Sequence, residues 1–328
     1  MNKRRRLIVA LGASAFVAPF SSVGQQQTKI PRIGFLGATS AATYASRLDA
    51  FRTGLREYGY VEGKTIHIDF RWAEGDYSRL PQLASELVNL NVDLILTHAT
   101  NGARAAKQAT STIPIVVAVT GDAIGNGIVT NLARPEGNLT GSTFFQPEIL
   151  AKRMELMKEV APHITEVAFL LNGNNPGNTG PTLRAMELAA KPLKVHLQQF
   201  PVANRDEFEN AFIAMKKSRA NAVVTSEDPL TIAHIKTVSE LANRHRLLSA
   251  GSIDSAEAGG LIGYGVNTVH LYKRAAYFVD KILKGSKPGD LPMERPTKFE
   301  LVVNMKTART LGIKIPNSIL VRADKVIE

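Results

Sequence analysis

Residues 92–119 read VDLILTHATNGARAAKQATSTIPIVVAV. The run 92–96 (VDLIL) is too short and too apolar for an exposed helix, so it reads as a strand buried on both faces. Residues 99–109 follow as an alanine-rich helix, and residues 113–119 return as a second apolar strand. Strand, helix and strand in one short stretch form the unit from which parallel sheets are built.

The rhythm extends both ways. Upstream, residues 31–37 (PRIGFLG) form an apolar run ending in glycine, and residues 40–58 place Leu48, Phe51, Leu55 and Tyr58 at helical spacing. Residues 65–72 alternate as a strand, and residues 77–90 carry Leu80, Leu83, Leu87 and Leu90 on one helical face. Downstream, the glycine- and polar-rich residues 137–142 (GNLTGS) suit a connection between units. The pattern then starts over: helix 149–160, strand 166–171 (EVAFLL), helix 179–190, strand 195–200, helix 206–217, strand 221–225, helix 230–244, and strands 247–250 and 261–264. Helix 272–283 turns Ala275, Ala276, Val279 and Leu283 inward and stops at Gly285-Ser286-Lys287-Pro288. A strand at 299–303 and a short helix at 305–311 close the chain. The expected fold is α/β, with two doubly wound parallel-sheet lobes and a chain that crosses between them more than once. Its 328 residues exceed the roughly 250–300 beyond which one core usually splits.

Composition narrows the chemistry. The absence of cysteine removes disulfides, Cys-ligated zinc, iron–sulfur clusters and thiol nucleophiles together. The net charge is +11, of which Lys3, Arg4, Arg5 and Arg6 supply four, leaving 11 − 4 = +7 for the rest. That run precedes an apolar stretch at 7–20, interrupted by Pro19 and shorter than the roughly 20 residues that span a bilayer. With Ser22 and Gly24 at the small positions, residues 1–24 read as an export signal cleaved before Gln25. The Sec and twin-arginine routes both fit Arg4-Arg5-Arg6-Leu7-Ile8, and a lipoprotein would need a cysteine. The expectation is a soluble, periplasmic product.

The seven histidines are scattered without HExxH spacing, and there is no GxSxG elbow, P-loop or GxGxxG turn. Gly121, Gly125 and Gly127 follow a strand at the wrong spacing for a dinucleotide. Close carboxylates such as Asp69 and Glu74, or Asp254 and Glu257, read as solvated loops. Nothing asks for an enzyme, a metal or a cofactor. What remains is a set of small and polar residues where strands end, the place at which open α/β sheets bind ligands. The first unit offers Thr39 and Ser40, Thr100 and Asn101, and Gly121 and Asp122; the second offers Asn172 and Asn174, Asp228 and Asp254. Each is also an ordinary helix-capping residue, so the argument rests on two such edges facing one cleft. Phe35, Phe144 and Tyr264 are the aromatic candidates for that cleft, whereas Trp72 reads as core or lobe surface.

Several strings together carry a family resemblance: GLREYGYVEG (54–63), RWAEG (71–75), LARP (132–135), GNLTG (137–141), AGGL (258–261), Tyr264-Gly265 and PTKFELVVN (296–304), with Ala308, Leu311-Gly312 and Ile315-Pro316. In this order they resemble the solute-binding proteins of ABC transporters, in the group linked to tryptophan or tyrosine uptake. The resemblance implies a type I periplasmic binding-protein fold, with Rossmann-like lobes at residues 25–143 plus about 268–297 and 144–267 plus about 298–328, joined by a hinge of several strands. It implies a small solute, an amino acid or other small carboxylate, held between the lobes and delivered by a monomer to a membrane permease with a cytoplasmic ATPase. No nucleic acid or cofactor is implied, and the membrane is met only through the permease. Carried over, Thr39, Ser40, Thr100, Asn101, Gly121 and Asp122 would form one wall. Asn172, Asn174, Asp228 and Asp254 would form the other, with Tyr264 near a crossover. Two positions depart from the family pattern: Ala123 stands where proline often follows the aspartate, and Gly263 where serine often precedes Tyr-Gly. A sensor feeding a membrane receptor, or an enzyme on the same scaffold, are the alternatives. A DNA-binding regulator would need an N-terminal helix-turn-helix, for which residues 1–29 leave no room.

Overall fold

The computed structural model describes residues 29–175, 177 and 180–328; the export-signal reading of residues 1–24 lies outside them. Residues 31–328 form one compact unit. Its first sheet holds β1 (Arg32–Gly37), β2 (His67–Trp72), β3 (Leu94–Thr97), β4 (Ile115–Gly121) and β5 (Leu139–Phe144) in the order β2-β1-β3-β4-β5, all parallel. Helices α1 (Ala45–Glu57), α2 (Leu80–Asn89) and α3 (Ala99–Ala109) connect the strands, with a 3-10 turn at Tyr77–Arg79 ahead of α2.

After α4 (Gln146–Val160) the same winding recurs: β6 (Glu166–Asn172), α5 (Gly180–Ala190), β7 (His196–Val202), α6 (Glu207–Lys217), β8 (Ala222–Thr225), α7 (Pro229–Ala233), α8 (Ile235–Arg244), β9 (Leu248–Gly251), α9 (Ile253–Glu257) and β10 (Ile262–Gly265). The chain then returns through α10 (Thr268–Leu283) to the first sheet and crosses back to β11 (Glu300–Asn304), α11 (Met305–Leu311), α12 (Asn317–Leu320) and β12 (Lys325–Ile327). The second sheet runs β12-β11-β10-β9-β8-β6-β7, parallel except for the β10–β11 pair. Counted from its own first strand, each half therefore begins 2-1-3-4-5, and the second continues with β11 and β12. The strand direction of connection reverses between β1 and β3, and between β6 and β8, so those are the points where a crevice opens.

Apolar side chains cover both faces. Ile33, Phe35, Leu94 and Leu96 pack on Phe51 and Leu55 of α1 and on Phe278 and Val279 of α10. Leu36, Ile95, Ile115 and Val117 pack on Leu83 and Leu87 of α2 and on Ala103 and Ala106 of α3. Each fully buried Leu or Phe contributes roughly 1.5–3 kcal/mol, so helices of modest intrinsic stability are held by the sheet. Gly54 permits α1 to meet α10, since a Cβ there would lie 2.5 Å from the Lys273 carbonyl oxygen.

The structure corrects three expectations. Residues 139–144 are a buried strand, not a connection. Asn138 Nδ2 donates to the carbonyls of Thr110 and Ile113 at 3.1 and 2.8 Å, and Thr140 Oγ1 donates to Leu291 O at 2.8 Å, so the polar residues satisfy neighbouring loops. Gly141, at φ 139°, lies where a Cβ would come within 2.0 Å of the Val117 carbonyl oxygen, so glycine serves close approach here. The single helix expected over 230–244 is two helices that break at His234 (φ −115°). Its first turn is drawn back onto the end of β8 by Thr231 Oγ1, which donates to the carbonyls of Ser226 and Asp228 at 2.9 Å each. Helix α10 begins at Thr268 because Asn267 caps it, accepting from His270 N at 3.0 Å. Short α9, α12 and β12 carry too few residues to show a period.

Candidate ligand-binding cleft

The cleft is built at the strand ends flanking both switch points. Thr97 ends β3 and donates its hydroxyl to Leu36 O at 2.9 Å, tying β3 to β1. The chain then turns sharply, with Ala99 at φ 59°, and α3 starts without a side-chain cap. His98, the residue at the cap position, is occupied elsewhere: its buried Nε2 accepts from Ala38 N at 3.2 Å. Burial first, and then the nearby Arg47 charge, push its pKa down to about 3, so the ring is neutral with its proton on Nδ1. The leading amides of α3, at the positive end of its dipole, thus border the cavity with no cap from the side chain at the N-cap position.

Two hydroxyls flank them. Thr100 Oγ1 and Thr120 Oγ1 lie 3.3 Å apart and line the same cavity. Asp122, at φ 31°, follows β4 and accepts from Gly125 N at 3.0 Å. Around this head lie rings: Tyr44 and His98 have centroids 4.2 Å apart, and Tyr272 sits 6.0 Å from Tyr44 and 6.2 Å from His98. The Tyr272 hydroxyl is buried and, among the described residues, makes no hydrogen bond. Phe144 completes the aromatic side, while Asn175, Glu227, Pro229 and Ile232 bring in the second lobe. The space left among these groups is tight: a water centre has about 40 Å³ to move in, room for about three waters.

The second-lobe wall is held by two buried polar clusters. Arg153 of α4, fully buried, donates to Thr225 O at 2.8 Å and to Tyr264 O at 2.8 and 2.7 Å, and pairs with Glu227. Asp228 accepts from Asn172 Nδ2 at 3.0 Å, Asn175 Nδ2 at 2.5 Å and Leu230 N at 2.8 Å. Its fourth donor comes from the first lobe, the Tyr77 hydroxyl at 3.0 Å. Burial still raises the Asp228 pKa, against the pull of those donors.

Thr100, Gly121 and Asp122 are therefore brought together in the cavity. Asn101, Asn172 and Asn174 line an adjoining groove of about 810 Å³ between the lobes. The others do not line the cavity: Thr39 is buried behind it, Ser40 bonds Thr43 Oγ1 at 3.1 Å, and Tyr264 stacks on Phe299 with centroids 6.0 Å apart. Asp228 is consumed by its four donors and Asp254 by an ion pair with Arg47. Of the other aromatic candidates, Phe144 lines the cavity and Phe35 is core; Trp72 stacks on Phe70, 6.1 Å away. Thr120 belongs to the strand-end run Thr120-Gly121-Asp122 that the sequence offers, whereas Tyr44, Arg47, His98 and Tyr272 have no local signature: Tyr44 precedes a helix, and Tyr272 looks like any buried position of one.

Residues 38–327 match the family described as ABC transporter substrate binding protein. The chain belongs to that family. Its relatives include a "Tyrosine-binding protein" of Clostridioides difficile (strain R20291), 26% identical over 265 residues, spanning 80% of this chain and 76% of that one. A Streptococcus pneumonia ABC domain solved in complex with L-Trp is 27% identical with a TM-score of 0.83, covering 90% of this chain and 99% of that one. A conserved domain protein of Vibrio cholerae is 25% identical with a TM-score of 0.85, covering 91% and 100%. This substrate-binding protein thus has the type I periplasmic binding-protein fold, and proteins of its kind bind a small solute and hand it to an ABC permease. Among its described residues no helix is long and apolar enough to cross a membrane.

Proposed function

We propose that this substrate-binding protein captures an α-amino acid with an aromatic or large apolar side chain, in the cavity between the β3 and β8 ends. The observation that carries the reading is the start of α3, where the N-cap side chain makes no cap bond, opening into a cavity ringed by Tyr44, His98, Phe144 and Tyr272. The α3 amides and the Thr100 and Thr120 hydroxyls suit a carboxylate. Asp122 or Glu227 would take the ammonium, and the rings would take the side chain. Gly121 would lie against the head group. Asn101, Asn172 and Asn174 would line the path in from the outer groove. That relatives are named for tyrosine and solved with L-Trp supports the same class. The solute contacts both lobes, so it shifts the lobe equilibrium toward closure without any bond being made or broken. We further infer export with cleavage before Gln25, action in the periplasm as a monomer, and no catalytic role.

The test is thermal stabilisation of residues 25–328 by a panel of amino acids, deaminated aromatic acids, small carboxylates and sugars. A native-state ligand at a hundred times its Kd adds about 2.7 kcal/mol. Aromatic L-amino acids should raise the melting temperature, while their deaminated analogues should act far more weakly. Stabilisation by a sugar, or equal stabilisation by the deaminated acids, overturns the reading.

A further inference from the structure

Arg47 reaches three parts of the molecule at once. It lies on α1 and is 5% exposed. Its Nε donates to Thr268 Oγ1 at 2.9 Å, on the first residue of α10 directly after the crossover from the second lobe. Its Nη1 reaches Thr43 O at 3.4 Å, and its Nη2 pairs with Asp254 on α9 of the second lobe. The guanidinium stands 5.5 Å over the Tyr44 ring and lines the same cavity. A guanidinium this buried is costly unless a carboxylate compensates it. Separation of the lobes would let water reach Arg47; closure removes that water and leaves Asp254 as the compensating charge.

We propose that Arg47 and Asp254 form a closure latch, positioning residues that set how long the closed lobes hold their solute. The part of this that concerns dwell time rests on the cavity being the solute site. The latch itself rests only on the cross-lobe pair. It predicts an effect on release rather than capture, because the pair forms only after the lobes meet.

The absence of cysteine allows two spin labels, at Lys64→Cys on the first lobe and Lys236→Cys on α8, where the lysine side chain is 82% exposed. Inter-label distances are measured without solute in the wild-type background, in Asp254→Asn and in Asp254→Glu. The latch requires a short-distance population in wild type that Asp254→Asn depletes and Asp254→Glu restores; identical distributions in all three overturn it. With whichever panel solute binds, stopped-flow should show dissociation at least about tenfold faster in Asp254→Asn, with association changed less than about twofold. Unchanged dissociation, or a loss confined to association, overturns the latch. A panel in which nothing binds overturns the amino-acid reading and leaves the distance measurement to decide the latch alone.

Discussion

The Tyr77 hydroxyl donates across the cleft to Asp228 Oδ1 at 3.0 Å, joining the turn before α2 to the cap of α7. Asp228 is fully buried, so this bond is the first lobe's share in satisfying a carboxylate that water does not reach. Tyr77→Phe should weaken solute binding several-fold and lower unfolding stability by about 1.5 kcal/mol, the low end for a hydrogen bond to a charged group. Asp228→Ala should cost more, about 3 kcal/mol, since it also removes a helix cap and orphans Asn172 and Asn175. Urea unfolding of both variants checks the order, and an Asp228→Ala loss no larger than that of Tyr77→Phe would contradict it.

Acid sensitivity should begin at His98. Its pKa is about 3 in the folded protein and 6.5 in the unfolded chain, so the unfolded state binds the extra proton between those values. Stability contributed by the neutral ring is complete above pH 6.5 and declines as pH falls toward 3. At pH 5 the loss is about 2 kcal/mol relative to neutral pH. Asp228 acts oppositely: its raised pKa makes the folded state the better proton binder, favouring folding as pH falls. Denaturant curves at pH 7 and pH 5 for wild type and His98→Gln separate the two. The variant keeps an acceptor for Ala38 N but cannot titrate, so its pH 5 loss should shrink.

Arg153 offers a test of a buried charge. Alone, Arg153→Met leaves Glu227 buried and unpaired and should cost about 3–5 kcal/mol. Adding Glu227→Gln should recover part of that loss, though the carbonyls of Thr225 and Tyr264 still lack their donor. Recovery is read as a double-mutant cycle; strict additivity would mean that the pair is not coupled.

At the head of the cavity, Thr100→Ala should reduce affinity for the preferred solute about tenfold, near 1.4 kcal/mol. Stability should move by less than about 1 kcal/mol, because among the described residues the hydroxyl's close hydroxyl neighbour is Thr120 at 3.3 Å. Calorimetry of binding and of unfolding on the same variant distinguishes a ligand contact from a structural bond. A large unfolding loss with intact affinity would reassign Thr100 to structure.

How much of this was legible depends on the range of the signal. The repeat of strand and helix is a local pattern, and it predicted both lobes and placed Thr100, Gly121 and Asp122 at two strand ends that line the cavity. The run 137–142 misled because glycine and polar residues usually mark a turn. Here Gly141 admits the Val117 carbonyl, and Asn138 and Thr140 serve loops from distant parts of the chain. Asp228 and Asp254 sat at the right strand ends, but their partners Tyr77 and Arg47 lie 151 and 207 residues away, beyond any spacing rule.

The sequence by itself determined the winding of each half, the family and the absence of thiol chemistry, because periodicity, motif strings and composition are properties of neighbouring residues. Only the tertiary structure decided which strand-end residues face the cavity, that Tyr44, His98 and Tyr272 wall it, and that two carboxylates are taken up by partners across the cleft. Those outcomes depend on which long-range donor reaches a buried acceptor first. That competition is settled by packing, where leaving a charge or a hydroxyl unpaired costs more than any local preference for its place in the chain.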